Sequence, residues 1–309
     1  MAILVLVTSS FVEQQRAALA ALAPGERIHT DPDLAPPAEI EALLAFKLAP
    51  GIAPRFPALK FIACAGAGVD DILATSDVPL HVPVVRAVDS LQGQRMAQYV
   101  ALFVLRIQRD LPRLEAQHND AVWRRFMPVP EDDCGIGVMG YGSIGSPVVD
   151  VLSRLGLPVA VWTRTPHEIE GAESFSGTDG LAPFLARSRV LVCALPLTSE
   201  MRGLLDARTL AALPRGAYVI NVSRGAVLRE ADLAAAVDAG HLAGAALDVF
   251  ETEPLPATSP LWRHPKILCT PHIAAVPRAE VAARQFLDNL RRARAGEPLV
   301  NVVDRFRGY

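Results

Sequence analysis

The sequence predicts an α/β protein of two doubly wound parallel-sheet domains, and three observations predict it. Short apolar runs alternate with helical patterns along nearly the whole chain, the rhythm of parallel sheets with crossover helices. At 309 residues the chain is long enough for two separate cores. A glycine turn, Gly140-Tyr141-Gly142-Ser143-Ile144-Gly145, stands near mid-chain between an apolar run and a helical pattern. Something else must therefore occupy the first third.

Taken in order, the first part offers short apolar strands at residues 3–7, 27–30, 42–46, 59–64 and 82–86, with an alanine-rich helix over 12–22. A long apolar-periodic helix is expected over 94–107 and a more polar one over 114–122. The proline-containing stretch 127–133 reads as a linker into the glycine turn. Further strands are expected at 136–139, 159–162, 190–195, 218–222, 245–249 and 267–270, with a closing helix over 279–295.

The glycine turn has a chemical reading. Gly140 makes the tight turn, Gly142 lets backbone N–H groups approach a pyrophosphate, and Gly145 lets the following helix pack on the strand. Phosphates would sit on that helix's N-terminus, beside Ser143 and Ile144. The strand at 159–162 runs into Thr163-Arg164-Thr165, where an acid would hold the ribose 2′-hydroxyl of NAD. No acid stands there. An arginine between two hydroxyls can instead accept a 2′-phosphate through charge-assisted hydrogen bonds, so NADPH is expected over NADH. The plainer alternative is that Arg164 faces solvent.

Composition excludes several classes. With 51% hydrophobic residues, 20% charged, a net charge of -3 and no basic run, there is no electrostatic footprint for nucleic acid or a membrane surface. Apolar runs stop well short of a transmembrane span, and the N-terminus lacks the charged region of a signal peptide. Cys64, Cys134, Cys193 and Cys269 lie far apart without metal-ligand spacing. They read as small buried hydrophobes in a reducing compartment, and a cytoplasmic location is expected. The loop Gly66-Ala67-Gly68-Val69-Asp70, at the end of the strand over 59–64, is either a substrate contact or a left-handed turn, with Asp70 expected to cap the next helix.

Six stretches, in order and spacing, resemble the D-2-hydroxyacid dehydrogenase family. They are Gly66 to Asp70, Gly140 to Gly145, Leu195-Pro196-Leu197-Thr198, Asn221-Val222-Ser223-Arg224-Gly225, Leu247-Asp248 to Glu253-Pro254, and Thr270-Pro271-His272-Ile273. Within the family, residues 259–265 and 303–309 are similar to the bacterial glyoxylate/hydroxypyruvate reductase A group.

The resemblance implies a flavodoxin-like substrate domain, residues 1–96 plus 277–309, and a Rossmann cofactor domain, residues 97–276. It implies reduction of a 2-keto acid to a D-2-hydroxy acid with hydride from a nicotinamide, glyoxylate giving glycolate and hydroxypyruvate giving D-glycerate. Arg224 would be the cation, His272 the acid and Glu253 its orienter. These types suit the chemistry: a guanidinium fork grips a carboxylate bidentately, imidazole titrates near neutrality, and a carboxylate on one ring nitrogen fixes the tautomer.

Leu195, Pro196, Thr198, Val222, Ser223 and Asp248 would lie along the cofactor, Ser223 and Asp248 either touching the nicotinamide or supporting it. Backbone N–H groups at Ala67, Gly68 and Val69 would form a second grip on the substrate carboxylate. Relatives form homodimers through the cofactor domains, with the helix from residue 97 to 107 either at the seam or in the domain core. Trp123 either reaches the neighbouring subunit's active site or packs in the interface. One departure stands out, Gln98 where relatives carry an acid before the aromatic. The same scaffold also carries non-catalytic nicotinamide-sensing corepressors. The charge balance and the 2′-phosphate-like turn favour the enzyme.

Overall fold

Runs of apolar residues become strands buried on both faces, and each pairing between the named strands is parallel. The computed structural model describes residues 1–7, 9–130 and 133–306, with backbone alone for Ser9 and Ser10. Glu131 and Asp132 of the expected linker, and Arg307, Gly308 and Tyr309 of the terminal stretch, lie outside the described residues.

One unit comprises Met1–Ser90 and Val276–Tyr309. It holds β1 (Ala2–Leu6), α1 (Ser9–Leu22), β2 (Arg27–His29), β3 (Ile40–Ala45), β4 (Phe61–Cys64), the single turn α2 (Asp70–Leu73) and β5 (Val84–Arg86). The sheet order β2-β1-β3-β4-β5 is the flavodoxin-like winding. Alternation along β1 sends Ala2 and Leu4 to one apolar cluster and Ile3 and Val5 to the other, so both faces of the sheet are covered. The C-terminal helix Ala279–Ala295 packs into this unit, with Phe286 against Phe61 at 5.4 Å between ring centroids. Its Arg294 also pairs with Glu41, a buried carboxylate near the start of β3 that Lys60 approaches as well.

The other unit, Leu91–Ala275, is the longer. It holds α3 (Ser90–Gln108), α4 (Leu111–Asn119), β6 (Ile136–Met139), α5 (Gly145–Arg154), β7 (Val159–Thr163), β8 (Glu173–Ser176) and α6 (Gly177–Arg187). Then follow β9 (Val190–Cys193), α7 (Ala207–Ala211), β10 (Ala217–Asn221), α8 (Glu230–Asp238), β11 (Leu242–Leu247) and β12 (Ile267–Cys269), before α9 (Ala279–Ala295) returns to the first unit. The order β12-β11-β10-β9-β6-β7-β8 reverses direction at β6, the Rossmann switch point where dinucleotides bind.

Several elements differ from expectation. The edge strand β8, Glu-Ser-Phe-Ser, was not expected, because it lacks the apolar run of a buried strand. Helix α3 begins at Ser90, so the expected division after residue 96 falls inside it. Helix α4 stops at Asn119, short of Val122. Strand β11 begins at Leu242 and ends at Leu247, earlier at both ends than expected. On α3, Ala97, Val100 and Val104 are buried in the unit's own core, whereas Leu102 is 61% exposed. Among the described residues, no helix is long and apolar enough to cross a membrane.

Candidate active site

Parallel strands put their carboxyl ends on one edge, and the register draws a row across it. Trp162, Met139, Cys193, Asn221, Leu247 and Cys269 are successive cross-strand partners on β7, β6, β9, β10, β11 and β12. Just past that row come Thr163, Gly140, Leu195, Arg224, Asp248 and His272. Residues scattered over more than a hundred positions thus leave the sheet on the same side, about 4.8 Å apart per strand.

At the β6–α5 turn the glycines are required. Gly140 has φ 100°, and a Cβ there would lie 2.8 Å from the Ala194 carbonyl oxygen. A Cβ on Gly145 would sit 2.1 Å from Gly140 O, so helix and turn touch directly. Gly142 differs: no described atom lies within 4 Å of its Cβ position, leaving space that a phosphate can enter. Ser146 N and Oγ both donate to Gly142 O, at 3.0 and 2.9 Å, and hold the loop. Ser143 is exposed, and Ile144 stands at the N-cap of α5 without a side-chain cap. In the first turn of α5, Ser146 N is engaged within the loop and Pro147 has no N–H, so what the cradle offers a dinucleotide pyrophosphate is the open space at Gly142 and the positive end of the helix dipole.

At the end of β7, Arg164 and Thr165 are exposed, but Thr163 is buried and donates its hydroxyl to Thr165 O at 2.7 Å. That proton closes the turn and does not point at a ligand. Past β9, Leu195 is buried and its carbonyl accepts from Ser223 Oγ at 2.6 Å, which ties the ends of β9 and β10 together. Pro196 is exposed, and Thr198 Oγ1 is buried without a hydrogen-bond partner among the described residues.

Past β10, the buried Asn221 shapes the loop. Its Oδ1 accepts from Ser223 N at 3.2 Å and its Nδ2 donates to Arg224 O at 3.2 Å, an Asx-type turn. Val222 and Ser223 are buried by that turn. Arg224 is half-buried, and its Nη1 donates to Ser223 O at 2.9 Å. Gly225 follows and lies flat against the Phe250–Glu251 peptide.

Past β11, Phe250 N donates to Glu253 Oε1 at 3.0 Å. Glu251 N donates to Glu230 Oε1 at 2.6 Å, and Glu230 N to Glu251 Oε1 at 3.0 Å. These bonds hold the loop from which Glu253 reaches His272, with Oε2 to Nδ1 at 2.8 Å. Burial first, then the charges of Glu251 and Glu253, hold the Glu230 carboxyl above the usual carboxylate range. An ionised Glu253 accepts only, so Nδ1 carries a proton and Nε2 is the nitrogen presented elsewhere.

His272 itself has φ 54°, a left-handed conformation that costs a non-glycine residue about 1–2 kcal/mol. Such a residue persists only where its surroundings determine it. Asp248, 2% exposed, does so: Oδ1 accepts from Ile273 N at 2.8 Å and from Thr270 Oγ1 at 2.6 Å, and Oδ2 from Ala274 N at 2.9 Å. Tyr99 OH lies 2.7 Å from Thr270 Oγ1. Sequence reasoning gave no role to Tyr99, Asn221, Glu230 or Thr270. Of these only Asn221, an Asx residue just past a strand, carries a local signal.

In the other unit, Ala67, Gly68 and Val69 follow β4, and neither Gly66 nor Gly68 has a positive φ, so the loop is not a left-handed turn. Cys64 Sγ meets Gly68 O at 3.0 Å. The expected capping role of Asp70 is corrected. Val69 occupies the N-cap of α2 without a side-chain bond, and Asp70 is the first helical residue, where its charge favours the helix dipole. Trp123, on the segment after α4, is 93% exposed, and Gln98 is exposed on α3.

Comparisons with known proteins identify the family. The NAD binding domain of the D-isomer specific 2-hydroxyacid dehydrogenases matches residues 101–274. Glyoxylate/hydroxypyruvate reductase A of Salmonella heidelberg is 40% identical over 256 residues, 81% of this chain and 82% of that protein. A D-isomer specific 2-hydroxyacid dehydrogenase from Xanthobacter autotrophicus Py2, solved with NADPH and MES, superposes with TM-score 0.90 at 41% identity, covering 100% of this chain and 99% of the other. An NADPH-dependent glyoxylate/hydroxypyruvate reductase from Sinorhizobium meliloti, solved with NADP and sulfate, gives TM-score 0.92 at 34% identity over 99% of each chain. With the fingerprint cradle, the Rossmann order and these matches in hand, the chain belongs to the D-2-hydroxyacid dehydrogenase family of oxidoreductases.

Proposed function

We propose that this enzyme reduces small 2-keto acids, glyoxylate to glycolate and hydroxypyruvate to D-glycerate, using NADPH. The observation that carries the reading is the 2.8 Å hydrogen bond between His272 Nδ1 and Glu253 Oε2, on the sheet edge that Arg224 shares. When bound, the reduced dinucleotide supplies the hydride that turns ketone into alcohol as one proton is consumed. Gly140, Gly142, Ser143, Ile144 and Gly145 would hold its pyrophosphate, and Arg164 with Thr165 its 2′-phosphate. Arg224 grips the substrate carboxylate with parallel N–H···O bonds and polarises the adjacent ketone. His272 Nε2 gives its proton to the ketone oxygen while Glu253 holds the ring by Nδ1. Backbone N–H groups of Ala67, Gly68 and Val69 are the proposed second grip on the carboxylate.

The enzyme is further proposed to act as a homodimer. Leu102 and Leu105 on α3, Leu111 and Leu114 on α4, and Trp123 and Met127 beyond it are exposed apolar side chains of one unit. Such groups are rarely left in water together, and a second copy would cover them. Sedimentation at a single monomer mass would overturn this. All four cysteines are thiols, which suits the cytoplasm.

The function is tested by following NADPH oxidation with each keto acid in wild type and His272→Asn. Wild type should turn over both acids, and the variant should lose about 10²- to 10⁴-fold in kcat with NADPH affinity unchanged. A silent wild type, or a variant at the wild-type rate, would refute it.

A further inference from the structure

The backbone bearing His272 is pinned from one direction that the chemistry above does not use. Asp248 accepts Ile273 N and Ala274 N, immediately after His272, and Thr270 Oγ1, two residues before it. An ionised carboxylate can only accept, so the 2.6 Å contact requires Thr270 to donate its hydroxyl proton. The Thr270 oxygen is then an acceptor, and the 2.7 Å contact with Tyr99 must run from the phenol. The chain of donation is therefore directional: Tyr99 to Thr270 to Asp248.

Each member stands on a different element. Tyr99 comes from α3, Asp248 follows β11 and Thr270 follows β12. Tyr99 packs on Phe103 with ring centroids 4.9 Å apart, which sets the height of its hydroxyl. Burial pushes the Tyr99 phenol up to about 12, so it remains a neutral donor across the working range of an imidazole acid. Without the phenol, the Thr270 hydroxyl loses the partner that aligns it, and the left-handed His272 loses one of its restraints.

We propose that Tyr99 is a positioning residue for His272, acting through the Thr270 hydroxyl and the Asp248 carboxylate to hold the proton donor in its strained backbone conformation. The proposal rests on the assignment of His272 as proton donor. It adds a residue of α3 that touches neither reactant.

The test compares Tyr99→Phe, Thr270→Val and Thr270→Ser, each alone and with His272→Asn. Tyr99→Phe and Thr270→Val should lower kcat about fivefold to tenfold, with KM for NADPH and for glyoxylate within about twofold of wild type. Thr270→Ser keeps the hydroxyl and should recover most of the rate. In the His272→Asn background, neither Tyr99→Phe nor Thr270→Val should lower the residual rate further, because the group they position is gone. A loss confined to the melting temperature, or an equal loss in both backgrounds, overturns the proposal. Should Y99F not fold, the contrast between T270V and T270S reads the same hydroxyl. A His272→Asn variant at the wild-type rate would instead sink the proton-donor assignment.

Discussion

Gly225 and Phe250 approach so closely that no side chain fits between them: a Cβ on Gly225 would lie 1.8 Å from the Phe250 carbonyl carbon and 2.0 Å from its oxygen. The contact sets the Arg224 loop against the loop that carries Glu253. Gly225→Ala must therefore push one away from the other. We expect a stability loss of about 1–3 kcal/mol or more and a fall in kcat/KM beyond what the folded fraction explains. Chemical denaturation paired with kinetics on the folded protein reads both. Wild-type behaviour would mean the two loops need no fixed spacing.

Arg164 is the residue proposed to set cofactor choice. Arg164→Asp replaces a cation by a charge that repels a 2′-phosphate, so kcat/KM with NADPH should fall about ten- to a hundredfold while that with NADH changes little. Equal values for the two cofactors in wild type and variant alike would remove the 2′-phosphate role.

Glu230 gives a stability prediction with a definite sign. Burial and the nearby carboxylates of Glu251 and Glu253 raise its proton affinity in the folded state. The folded protein thus holds this proton more tightly than the unfolded chain. The associated stability is present below the ordinary glutamate range and is lost as pH rises through the raised value. Glu230→Gln keeps an oxygen for Glu251 N and removes the charge. Its melting temperature relative to wild type should therefore be higher at pH ~7.5 than at pH ~4.5. A difference that does not vary with pH, or that varies in the opposite sense, would contradict the electrostatic account.

Trp123, 93% exposed, is proposed either to reach a neighbouring subunit's active site and restrict substrate size or to pack in the dimer interface. Trp123→Ala should admit bulkier 2-keto acids, read as a rise in their kcat/KM relative to glyoxylate. An unchanged profile with a weaker dimer would place the ring in the interface alone.

Much of this architecture was legible because buried parallel strands and long amphipathic helices carry their own periodicity. β6 and α9 fall on the residues that their patterns indicated. The glycine turn was legible because Gly140 and Gly145 each answer a distinct steric demand. The polar strand β8 was not, since an edge strand needs no apolar run. Asp70 misled because an acid at a helix start suits both the cap and the first turn. Tyr99 and Thr270 are 171 residues apart, and no local rule links a phenol in a helix to a hydroxyl after a strand. Glu230 looked like any acid opening a helix until the fold brought Glu251 to it.

The single row of strand ends has a consequence for redesign. Five strand spacings, roughly 24 Å, separate the β7 terminus bearing Arg164 from the β12 terminus leading to His272. The residues proposed to set nucleotide preference and carbonyl chemistry thus leave the sheet from well-separated strands. A library that retargets one terminus can leave the other untouched, and gains at the two ends should combine as independent factors.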